Sequence, residues 1–213
     1  MRDRPAATLL IFIAVCLSAA TAAADGWIRV RWVNDGDTIV LVDGRRVRYV
    51  GIDAPEIAHE TYQKKAEPLG YEALAFNRHL VHRKRVRLEL DRQTHDAYQR
   101  LLAYVFLPGK RMVNEQMVVN GLAYCLPHWP NERYASLLLK AQRTAMSATR
   151  GIWRQWKPID EAVIGNRRSR RFHTPSCPNA GRISARNRIL FDSPWEAFWE
   201  GYAPAGGCFK GKK

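Results

Sequence analysis

The chain has 213 residues, of which 46% are hydrophobic and 25% charged, a balance that fits a globular protein and excludes a chain too polar to fold. Lysine and arginine number 34 against 20 aspartates and glutamates, a formal charge of +14. Such a field favours polyanionic partners, nucleic acid first and anionic membrane or wall polymer second.

At the N-terminus, Arg2 and Arg4 precede an apolar run over residues 7–20, which closes on Ala22-Ala23-Ala24 before Asp25. This pattern predicts a signal peptide over residues 1–24 and export to the periplasm or medium, with a retained membrane anchor as the alternative. Cleavage lowers the charge to +13 and leaves Cys125, Cys177 and Cys208, which allow at most one intramolecular disulfide.

Residues 27–53 alternate in strand fashion and predict a three-stranded meander over 27–33, 38–42 and 46–52, with a turn at Asp43-Gly44. Leu69, Ala73, Phe76 and Leu80 then fall on one helical face. Residues 86–90 and 102–106 alternate again as strands four and five, and Pro108-Gly109 turns the chain. Val113, Met117 and Leu122 predict a short helix, and Tyr134, Leu138, Ala141 and Ala145 a longer one ending near Gly151. Five strands with a helix between the third and fourth make an α+β protein. The arrangement expected is a five-stranded OB-type β-barrel with about three helices over residues 25–156. A linker over 157–162 leads to a small separate module over 163–213, which carries ten basic and three acidic side chains.

Two segments place carboxylates at strand ends, Asn34-Asp35-Gly36-Asp37-Thr38 and Gly51-Ile52-Asp53-Ala54-Pro55-Glu56. Either segment alone is weak evidence, and an Asp-Gly-Asp sequence by itself reads as a turn. Together, two carboxylates with a backbone carbonyl and waters supply the hard oxygens that Ca2+ requires. Arg48 precedes Asp53 on the same predicted strand and Arg100 opens the fifth. A guanidinium grips two phosphate oxygens and stays charged at any working pH, which suits the negative charge that builds up during phosphodiester hydrolysis.

In order along the chain, the Asp-Gly-Asp-Thr turn, the Arg-x4-Asp-x-Pro-Glu segment and the Asp-x-Tyr-x-Arg segment resemble the staphylococcal nuclease family over about residues 27–153. The resemblance implies calcium held by Asp37, Asp53 and the backbone carbonyl of Ala54, with Arg48 and Arg100 on the scissile phosphate and Glu56 as general base. It also implies cleavage of DNA and RNA to 3′-phosphate ends with weak sequence preference. Tyr98 falls where the terminal phosphate would be met, and Trp129 lies near the segment that carries base-stacking tyrosines in the family. Ala97 and Gln99 depart from the lysine and glycine common beside that tyrosine, removing one cation and stiffening the loop.

The tail resembles the small zinc-binding domain of Ada-type DNA repair proteins. Its ligand positions hold His173, Cys177, Ala205 and Cys208, so one ligand is missing at Ala205. Two readings follow: Zn2+ completed by water or another donor, or, favoured, a Cys177–Cys208 disulfide. Arg167, Arg168, Arg170 and Arg171 offer a phosphate-binding surface in either case. The rival to a nuclease is a non-catalytic nucleic-acid-binding protein of the cell envelope, with no stable protein partner implied by either reading.

Overall fold

The computed structural model describes residues 26–59, 65–156 and 161–206. The predicted signal segment and Cys208 lie outside the described residues. The meander forms as β1 (Trp27–Val33), β2 (Thr38–Leu41) and β3 (Arg46–Tyr49), paired antiparallel in that order. Alternation, reset in β1 by a bulge between Val30 and Trp32, sends Val30, Val33, Ile39, Leu41 and Val47 inward to full or near-full burial.

The third strand does not continue to Ile52. Gly51 takes φ 77°, in the left-handed region, and a Cβ there would lie 2.6 Å from Leu138 Cδ1. The chain turns at this point, and the short strand β4 (Ile52–Asp53) leaves the main sheet to pair with β8 (Tyr124–Cys125).

Helix α1 (Gly70–Val81) follows, with Ala73, Leu80 and Val81 buried. Strand β5 (Arg85–His95) is longer than the alternation at 86–90 predicts. Its outer half is held by the buried side chain of Asn131, which accepts from Gln93 N–H at 2.8 Å and donates to Gln93 O at 2.7 Å. A side chain therefore supplies what a neighbouring strand normally would.

Strand β6 (Leu101–Leu107) pairs antiparallel with β5 and parallel with β3, and β5 pairs with β1. The pairings thus return on themselves through β1, β2, β3, β6 and β5, around the larger apolar cluster. Beyond β7 (Arg111–Met112) and α2 (Val113–Val119), the longer predicted helix forms as α3 (Ala135–Ser147), close to its expected end near Gly151. Past Gly151, which takes φ 51°, the chain adds a single turn α4 (Ile152–Gln155) that the sequence pattern does not predict. The described residues of 26–156 thus hold four α-helices where about three were expected, and the tail adds α5 (Pro194–Trp199).

The tail builds its own sheet from β9 (Val163–Asn166), β10 (Arg171–His173), β11 (Arg188–Phe191) and β12 (Ala203–Pro204), in the order β11-β9-β10-β12. Its core is shared with the preceding helices. Phe198 stacks on Tyr124 at 5.4 Å and meets Trp153, Trp156 and Phe172 edge-on at 5.0, 4.8 and 5.0 Å. The fully buried Gln142 of α3 bridges the same contact, donating to Phe198 O and accepting from Cys125 N–H. Burying a phenylalanine of this kind stabilises by about 2–3 kcal/mol, and here both parts contribute surface. Among the described residues no helix is long and apolar enough to cross a membrane.

Candidate active site

The Asp35-Gly36-Asp37 turn is drawn tightly into the fold. A Cβ on Gly36 would lie 2.5 Å from Ala54 Cβ and 2.9 Å from Ala73 Cβ, so only glycine lets the turn reach both α1 and the segment after β4. Asp35 Oδ1 accepts from Asp37 N–H at 2.9 Å. From α1, Asn77 fixes the turn by donating to Asp35 O at 3.0 Å while accepting from Tyr49 Oη at 2.9 Å. The sequence reading missed Asn77, because a buried polar residue on an amphipathic helix carries no local signature.

Asp37 emerges buried, its Oδ2 accepting from Ala54 N–H at 2.8 Å and its Oδ1 from Thr38 Oγ1 at 3.2 Å. Cross-strand register sets Arg48 beside Thr38. Arg48 Nη2 lies 3.1 Å from both Asp37 Oδ2 and Asp53 Oδ1. Its Nη1 donates to Tyr49 O at 2.7 Å and to Ile52 O at 2.9 Å. The three predicted residues therefore converge, with one cation bridging the two carboxylates.

Burial pushes the Asp37 carboxyl up, against the pull of Arg48, to about 8. Burial likewise works against the Arg48 charge, but the carboxylates of Asp37, Asp53, Asp35 and Glu56 outweigh it and hold the guanidinium above its ordinary value. The pocket demands positive charge. Among the described residues no three Asp, Glu, His or Cys side chains gather into a group able to hold a metal. A metal would rest on the two carboxylates, backbone oxygen and water. That all-oxygen set, bridged here by a guanidinium in the role of a cation, fits a hard divalent ion.

Glu56 is exposed, with its backbone clamped: its N–H donates to Glu67 Oε2 at 3.1 Å and its carbonyl accepts from Glu67 N–H at 2.8 Å. Ala54 is buried. Arg100 stands at the entry to β6, its Nε donating to Asp96 Oδ2 at 2.7 Å. Asp96 Oδ1 also accepts from Tyr98 and Arg100 N–H, both at 2.9 Å, and Gln99 completes the turn at φ 60°. Tyr98 is 77% exposed, with the Arg100 guanidinium 5.5 Å from its ring centre. Trp129 is 70% exposed, in a surface recess with Asp91, Arg92, Pro130, Glu132 and Arg133.

The tail arginines part company. Arg167 and Arg168 are exposed, whereas Arg170 lies 4.5 Å over the Tyr202 ring. Arg171 reaches the site itself, its Nη1 lying 2.6 Å from Asp53 Oδ2 and 2.9 Å from Pro204 O. No spacing in the sequence points to that contact. His173 is buried with Nδ1 3.4 Å from Cys177 Sγ, and burial followed by the nearby Arg171 charge lowers its pKa. Cys177 is buried, and Cys125 is a free, buried thiol. Ala205, where the Ada resemblance lacks a ligand, is buried.

Comparison with known proteins matches residues 46–155 to the model of the staphylococcal nuclease homologue family. The thermonuclease of Staphylococcus hyicus is 42% identical over 125 residues, covering 57% of this chain and 72% of that protein. The thermonuclease of Staphylococcus intermedius is 39% identical over 58% of this chain and 74% of its own length. Endonuclease YncB of Bacillus subtilis is 36% identical over 56% of this chain and 57% of that protein. The matched span contains Arg48, Asp53, Glu56 and Arg100, with Asp37 just before it. On this ground the chain belongs to the staphylococcal nuclease homologue family, as a thermonuclease-like hydrolase.

Proposed function

We propose that the chain is a calcium-dependent, sugar-nonspecific nuclease that hydrolyses phosphodiester bonds of DNA and RNA and leaves 3′-phosphate ends. The observation that carries this reading is the pair Asp37 and Asp53 bridged at 3.1 Å on each side by Arg48. Asp37, Asp53 and the Ala54 carbonyl would hold calcium, which when bound would supply electrophilic charge to the phosphate.

The rest is done by side chains. Arg48 exchanges its carboxylate partners for phosphoryl oxygens, and Arg100 does the same from Asp96, so that two fixed cations meet the charge that grows in the transition state. Glu56, on its clamped backbone, accepts the proton of the attacking water. Tyr98 and Trp129, both exposed, stack on or contact the strand without choosing its bases, and Arg167, Arg168 and Arg170 extend the electrostatic track along the tail.

We infer further that residues 1–24 direct export and that Cys177 is joined to Cys208. Support for the pairing is that Cys125 is free and buried in the barrel, which leaves Cys177 and Cys208 as the two cysteines of the tail in an oxidising compartment. Zinc in the tail would need the same sulfur as thiolate, so the disulfide is the favoured state.

The test is cleavage of plasmid, single-stranded DNA and RNA in calcium and in chelator, with end-group analysis of the products. Wild-type protein cuts all three in calcium, and Glu56→Gln and Arg100→Ala each slow cutting by at least about 100-fold. Salt-sensitive binding without cleavage would instead establish the non-catalytic reading.

A further inference from the structure

The family match ends at residue 155, yet the site receives a side chain from beyond it. Arg171 lies on β10, between β9 and β12, in register with Asn166 and Ala203. Its guanidinium is anchored inside the tail by Pro204 O, and the tail is anchored on the barrel through Phe198 and Tyr124, whose strand pairs Tyr124 with Asp53. The contact of Arg171 with Asp53 is thus set from both sides by packed structure. Arg48 holds Oδ1 of the same carboxylate and Arg171 holds Oδ2.

We propose that Arg171 is a positioning residue of the metal site: it fixes Asp53 by Oδ2, turns Oδ1 toward Asp37, and by its permanent charge sets how tightly the site takes a divalent cation. The inference rests on the calcium reading of Asp37 and Asp53. A guanidinium keeps its charge at every working pH, so its repulsion of a divalent ion at the neighbouring carboxylate is constant. The two oxygens also divide their duties. One is occupied by the tail, and the other is left for the cation once Arg48 moves to phosphate. The tail thereby acts as a counterweight that holds metal affinity down, and metal occupancy gains from the arrival of a phosphate to draw Arg48 away.

The experiment is calorimetric titration of calcium chloride into the full chain, stripped with chelator, for wild type, Arg171→Ala and Arg171→Lys at fixed ionic strength. Arg171→Ala binds calcium on the order of tenfold more tightly than wild type, because a unit charge beside a divalent ion is removed from a partly exposed site. Arg171→Lys, which keeps the charge, stays within about threefold of wild type. Thermal unfolding in chelator reads the purely structural contribution of the ion pair, which does not move calcium affinity upward. Equal or weaker calcium binding by Arg171→Ala overturns the proposal and leaves the calcium reading standing. Absence of calcium binding from all three proteins overturns the calcium reading and this inference with it.

Discussion

Arg100 is held twice by Asp96, from its backbone N–H to Oδ1 at 2.9 Å and from its Nε to Oδ2 at 2.7 Å. Since Asp96 Oδ1 also takes the N–H of Tyr98, one carboxylate shapes the loop that presents the arginine proposed to meet the scissile phosphate. Asp96→Ala is expected to lower kcat by about 10- to 100-fold with a smaller change in KM, as misplacement of a charged group costs the transition state most. Steady-state cleavage of a short oligonucleotide separates the two effects.

Three carboxyls are held below the usual carboxylate range despite partial burial. Glu89 is stabilised by Tyr134 Oη and Arg87, each at 2.6 Å, Asp91 by the N–H groups of Arg133 and Arg92 and by Tyr104 Oη, and Asp96 by the Arg100 and Tyr98 loop. With the folded value below the unfolded one, the stabilisation is present above the unfolded pKa of about 4 and is lost as pH falls through the folded value. The difference in Tm between wild type and Glu89→Gln is therefore constant near neutrality and closes as pH drops below about 4. A pH series of thermal melts on both proteins measures it.

Asp37 is the most deeply buried of the acidic residues proposed to hold metal, with 8% of its side chain exposed against 24% for Asp53. Calcium bound there stabilises the fold by mass action, about 2.7 kcal/mol at a hundredfold excess over Kd, and raises Tm. Asp37→Asn keeps an oxygen for Ala54 N–H but loses the charge, so its Tm no longer responds to calcium. Differential scanning calorimetry with and without calcium checks this.

Phe198 is fully buried against aromatic rings from both sides of the junction. Phe198→Ala is expected to cost about 3–5 kcal/mol. Because the ring belongs to a shared core, far- and near-ultraviolet circular dichroism should report one transition, shifted as a unit, rather than early melting of the tail alone.

The convergence of Asp37, Arg48 and Asp53 could be anticipated from sequence because each sits in a short segment at a strand end. Contacts over long separations left no such trace. Arg171 meets Asp53 across 118 residues and looked like one more arginine in a basic run. The outer half of β5 depends on Asn131, 38 residues from Gln93, so local alternation ended it early. The helix expected to end near Gly151 does so as α3, whereas the turn α4 beyond it went unread because Gly151, at φ 51°, signals a stop and four residues are too few to show a period. The tail read as a separate module because its composition changes at the boundary, while its packing partners, Ala145, Met146, Ile152 and Trp153, lie upstream.

The β4–β8 ladder, only two residue pairs long, has a practical bearing on how the protein can be cut. A fragment stopped at residue 155 to mimic its shorter relatives would strip the cover from Trp153 and Tyr124, and would leave Gln142 with a buried amide group facing water or nothing. Such a newly bared aromatic face invites self-association. For expression, crystallisation or grafting, the smallest sound unit is the barrel together with its tail.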